Sequence, residues 1–111
     1  MIADIEILDT YQDIAAVTGR MLDAARGARW DELIELERDC GALFSRLAQL
    51  DAGDAPHGIE FQRRKAELVR RVLDDDAAIR LLVDPWLAEL QALLGQAARR
   101  QRLDAAYGAD E

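Results

Sequence analysis

The stretch "VLDDDAAIRLLVDPWLAELQALLG", residues 72–95, decides how the chain folds. It sets three aspartates, Asp74 to Asp76, and a proline, Pro85, inside an otherwise helical rhythm. Ile79, Val83, Trp86, Leu90, Leu93 and Ala97 step by four, three, four, three and four, which lays them along one helix face. The aspartates suit an N-cap cluster better than a helix C-terminus. The pattern therefore predicts a boundary there, with one helix over about 59–73 and a last helix over about 77–105. Pro85 removes a backbone donor and crowds the preceding turn. Asp84 as N-cap with Pro85 at the first helical position would mean a fresh start. Because the stripe stays in phase across the proline, a kinked continuation is favoured.

Two helical segments precede this stretch. Ile7, Tyr11, Ile14, Thr18, Met21 and Ala25 alternate steps of four and three, with Leu8, Ala15 and Leu22 widening the stripe. That predicts a helix over about 3–26, with Gly27 as its stop. Leu33, Leu36, Cys40, Leu43, Leu47 and Leu50 repeat the beat over about 31–50, and Asp31 and Glu32 fall in the first turn, where negative charge suits the helix dipole. "DAGDAPHG", residues 51–58, is the loop-like run of the chain. In the third segment Phe61, Leu68, Val69, Val72 and Leu73 are expected to face inward. No strand pattern competes.

Short connections imply antiparallel neighbours, and a spacing near 3.5 residues implies shallow crossings. The expected fold is all-α: an antiparallel four-helix bundle in a single domain over 1–111, its C-terminal helix kinked near Pro85 and partly detachable. Leu103 and Tyr107 rotate off the stripe of Trp86, Leu90 and Leu93 onto one flank, while Leu87 and Leu94 lie on the other, a drift that suits either a displaceable terminal helix or the fraying of an exposed end.

Composition narrows the function. A chain of 111 residues, half apolar and about a third charged, is one foldable domain and not a disordered tail. Its net charge of −8 opposes direct binding to nucleic acid, which is driven by phosphate neutralisation. "MIADIEILD" has no signal-peptide character, and no run approaches the roughly 20 apolar residues of a membrane span, so no membrane insertion is expected. The single cysteine, Cys40, cannot form an internal disulfide, which fits a reducing cytoplasm.

Chemistry has little foothold. His57, after Pro56, reads as a solvated loop residue, and Cys40, on the core beat, as a small buried hydrophobe. Glu-x-x-His and other metal spacings are missing from the sequence, as is a Gly-rich phosphate loop. Glu32, Glu35 and Asp39 fall on a solvated face. Neither an enzyme nor a cofactor or metal site is expected. The basic run "QRRKAELVRR", residues 62–71, carries Arg63, Arg64, Lys65, Arg70 and Arg71. It is either a solubilising surface or a docking surface for an acidic or amphipathic partner.

Three stretches carry a family likeness: "RGARWDELIELE" (26–37), "VLDDDAAIRLLVDPWLAELQALLG" (72–95) and "RQRLDAAYG" (100–108). In their order and separation the chain resembles the FliT family of flagellar export chaperones over nearly its whole length. The resemblance implies a four-helix cytoplasmic protein that binds the filament-cap protein before export. It also implies contact with the export ATPase apparatus and restraint of the flagellar master transcription activator. The family's helix 4 covers a binding surface and moves aside for partners, and Tyr107 maps onto the family's terminal Tyr as a partner contact or latch. Two departures are Pro85 inside helix 4 and an ending three residues after Gly108, which is expected to remove contacts that a longer tail makes.

The expected partner surface is a groove between helices 3 and 4, using Leu68, Val69, Val72, Leu90, Leu94, Leu103 and Tyr107. Arg63, Arg64, Arg70, Arg71, Arg99 and Arg100 form its electrostatic rim. The alternative is a structural or adaptor protein without an export client, self-associating through the same stripes, with domain swapping through the 51–58 loop, whereas a weak homo-oligomer is compatible with the chaperone.

Overall fold

The stripe in the first segment builds α1 (Ile2–Arg26), the helix most of the core is wrapped around. The computed structural model describes residues 2–51 and 57–108, so positions 52–56 of the loop invoked for swapping lie outside the described residues. Ile7, Ile14, Thr18 and Ala25 are buried, and Tyr11 and Met21 pack half-buried against them. Thr10, Ala15, Leu22 and Ala24 are buried too, a wider arc than a two-helix seam needs, because helices flank α1 on two sides. The Thr10 hydroxyl donates to the Glu6 carbonyl oxygen at 2.7 Å, so its burial leaves no orphan polar group.

At the end of α1 the Arg29 amide donates to the Ala24 carbonyl (2.8 Å) and the Ala28 amide to that of Ala25 (3.1 Å). These are the paired bonds of a Schellman turn. The left-handed residue in it is Ala28 (φ 55°), not Gly27, the expected stop. The chain then returns as α2 (Trp30–Leu50), antiparallel to α1, burying Leu36, Cys40 and Leu47 on the predicted beat.

α3 (Ile59–Gly108) contributes Phe61, Leu68 and Ile79 to the core. Its direction follows from its partners on α1. His57, just before it, meets Asp4, Lys65 lies over the Tyr11 ring, and Asp75 meets Thr18, so the two helices run in the same sense. Leu73, expected inward, is 61% exposed, because a step of 100° past Val72 carries it off the arc facing α1.

The expected break at 74–76 does not occur. α3 runs unbroken where two helices, about 59–73 and 77–105, were expected, so the described residues form three helices and no strand. Asp75 accepts a hydrogen bond from Thr18 at 3.2 Å, and Asp76 pairs with Arg80 one turn on at 3.1 Å. Those partners outweigh the few tenths of a kcal/mol per residue by which aspartate disfavours a helix interior. Pro85 also lies inside the helix, as continuation of the stripe implied and not as a fresh start.

The chain divides into two compact units, Met1–Arg80 and Leu81–Glu111. Among the described residues, the first holds every buried one. In the second, described from 81 to 108, Val83 is half-buried and every other side chain described is exposed. No helix is long and apolar enough, among the described residues, to cross a membrane.

Candidate functional site: two apolar surfaces

The first unit carries an apolar trough. One hollow, about 130 Å³, lies between Tyr11, Ile14, Phe44, Val69, Val72 and Leu73. A second, about 250 Å³, shares Phe44, Val72 and Leu73 and continues to Thr18, Cys40, Asp76 and Ile79. Helical spacing makes this wall: Phe44 stands one turn beyond Cys40, and Val69, Leu73 and Asp76 follow each other up one edge of α3.

The trough changes character along its length. The Tyr11–Val69 end is hydrocarbon, whereas Asp76 reaches the other end and Asp75 sits beside it. The Thr18 hydroxyl lies 3.0 Å from the Ala15 carbonyl and 3.2 Å from Asp75 Oδ2, so its single proton serves one acceptor at a time. Cys40 forms part of the same wall. Burial pushes its thiol above the ordinary range, and the charges of Asp76 and Glu37 add to the effect. A thiol so held is a packing group with little thiolate character.

The other apolar surface is the second unit's. Leu90, Leu94, Leu103 and Tyr107 are all exposed, as are Leu81, Leu87 and Leu93. Arg99 and Arg100 are exposed on the same segment, and Arg100 borders a shallow cleft with Leu93, Gln96 and Asp104.

The expected site residues fall into distinct places. Val69 and Val72 line the trough, whereas Leu68 is buried behind them in the core. Leu90, Leu94, Leu103 and Tyr107 belong to the other unit. The first three and the last four share α3, so no separate helices 3 and 4 flank a groove. Arg63 and Arg64 are spent locally on Glu60 (3.5 Å) and Glu67 (3.2 Å), while Arg70 and Arg71 are exposed with no ion pair among the described residues.

Three features escaped sequence reasoning. Phe44 was passed over although it stands four residues from Cys40. Asp75, a cap by sequence pattern, is instead a tertiary partner of Thr18. His57 is not simply solvated: its ring stacks on Phe61 (centroids 4.0 Å, 18°), with Nδ1 2.8 Å from Asp4 and Nε2 3.6 Å from Asp51. It clasps the start of α1, the end of α2 and the start of α3, and only its aromatic neighbour four residues on hinted at this. Among the described residues no group of three or more His, Cys, Asp or Glu is placed to hold a metal ion.

The sequence profile of flagellar protein FliT matches residues 8–109. The chain belongs to the FliT family. The flagellar protein FliT of Cronobacter sakazakii is 32% identical over 104 residues, spanning 94% of this chain and 85% of the relative. That of Photorhabdus laumondii is 26% identical over 103 residues, spanning 93% and 82%. The crystal structure of flagellar protein FliT from Bordetella bronchiseptica superimposes with a TM-score of 0.68 at 36% identity, covering 78% of this chain and 98% of that one. The all-α fold is thus a FliT fold, and membership sets the chain among flagellar proteins and not among enzymes.

Proposed function

We propose that this FliT-family chain is a cytoplasmic chaperone of flagellar type III export, and that its client is the filament-cap protein. The observation that carries this reading is the second unit: a leucine-rich helix whose apolar side chains stand in solvent, in a protein of a flagellar family. Monomeric proteins seldom leave such a surface uncovered unless a partner uses it. An amphipathic client helix would cover Leu90 and Leu94 on one flank, while Leu103 and Tyr107 on the other, with Arg99 and Arg100 near them in sequence, offer a separate contact. Val69 and Val72, backed by Leu68, form a separate apolar surface in the first unit, with the exposed Arg70 and Arg71 on the same helix. The export ATPase apparatus and the flagellar master transcription activator are further protein partners on this reading, and the net charge of −8 argues that any effect on transcription passes through protein.

Copurification with the C-terminal part of the cap protein tests the proposal. A complex that weakens when residues 96–111 are deleted supports it. No complex, or one indifferent to the deletion, removes the mechanism. Sedimentation separates it from self-association: a tight dimer that buries 81–107 and excludes the client favours the structural alternative.

A further inference from the structure

The trough of the first unit has a polarity that says what kind of segment it accepts. Its Tyr11–Val69 end exposes only apolar wall, with Phe44 47% and Leu73 61% exposed above it. Seven residues farther along α3, about 10 Å at helical rise, stands Asp76. Asp75 is occupied by Thr18, and Arg80 engages Oδ2 of Asp76, while no described residue engages Oδ1. Glu37 of α2 acts on the same end, since its charge and that of Asp76 both raise the Cys40 thiol. Glu37, Asp75 and Asp76 thus bring three carboxylates to this end, and the ion pair recorded for them among the described residues is Asp76 with the largely exposed Arg80.

We propose that the trough seats one amphipathic helix of a client, with large apolar side chains at i and i+4 over Phe44, Val69 and Leu73, and a Lys or Arg near i+7 that pairs with Asp76. This rests on the chaperone reading and adds to it the chemistry of the client segment. Apolar anchors supply the affinity, and the cation sets register and direction, because a helix inserted the other way carries the cation to the hydrocarbon end, and one with Glu at that point brings like charge to the acidic end. The chain's overall −8 favours the approach of such a basic segment.

The test uses the full chain and three labelled helical peptides of about 16 residues, long enough to hold some helix. All carry Leu at i and i+4, with Lys, Gln or Glu at i+7. Fluorescence anisotropy should show the Lys peptide binding at least tenfold tighter than the Glu peptide, with Gln between. Asp76→Lys should reverse that order, and Leu73→Glu, at an exposed position, should abolish binding of all three; circular dichroism confirms that both variants are folded. Equal affinities, an order unchanged in Asp76→Lys, or no binding of any peptide overturns the proposal. If the cap protein still copurifies in that case, only the assigned client chemistry is wrong; if it does not, the chaperone reading falls as well.

Discussion

α1 and the second half of α3 are written in nearly the same code. Ile7, Tyr11, Ile14, Thr18, Met21 and Ala25 step by fours and threes, and so do Ile79, Val83, Trp86, Leu90, Leu93 and Ala97. In α1 every one of those positions is buried or half-buried, whereas from Trp86 onward each is exposed. Periodicity states which face of a helix is apolar. It does not state what covers that face, which depends on contacts distant in sequence. On the proposed chaperone reading, an uncovered stripe is where a partner has been left room.

Substitutions at matched positions sharpen the contrast. The largest effect is expected at Ile14, fully buried in the centre of α1. Ile14→Ala should cost about 2–5 kcal/mol through lost burial and a residual cavity, read as a lowered urea midpoint at unchanged slope. A smaller effect is expected from Cys40. Its folded thiol ionises less readily than the unfolded one, so its contribution is complete below the ordinary thiol range, about 8.5, and is lost as pH rises through the folded value. The stability of the natural chain should therefore fall more steeply above that range than that of Cys40→Ala, measured as midpoint against pH.

Smaller still is the turn. Ala28→Gly should stabilise by about 0.5–1 kcal/mol, since glycine adopts a left-handed backbone without the Cβ clash that alanine suffers there. A drop in melting temperature would show that the turn's strain is relieved in another way. The smallest change belongs to Leu94, 61% exposed on the second unit. Leu94→Ala should stay within about 0.5 kcal/mol in stability while weakening client capture. A loss comparable to that of Ile14→Ala would erase the distinction between the two stripes.

The sequence made α1 and α2 legible almost to the residue, because each carries a stripe that a neighbouring helix covers. Their core members, Ile7, Ile14, Leu36, Cys40 and Leu47, were all on the predicted beat. The helix count was not legible. Asp74–Asp76 look like a boundary when judged by propensity alone, and only Thr18, 57 positions away, and Arg80 explain why the helix continues. The identity of the left-handed residue was equally hidden, since glycine is the expected occupant and Ala28 holds the place. Of the expected partner surface, Val69 and Val72 line a trough facing α2 and not the expected groove between two C-terminal helices, and Phe44 becomes a trough residue only once α2 and α3 stand on α1.

Pro85 has one more effect. The amide it lacks would have bonded to the carbonyl four residues back, that of Leu81, the first residue of the second unit. The hydrogen-bond ladder thus loses a rung at the start of the second unit. Unwinding begun at the C-terminus can run back to that gap without disturbing the core, so amide protons beyond it should trade with solvent by a low-cost local route, while those of α1 wait for global opening.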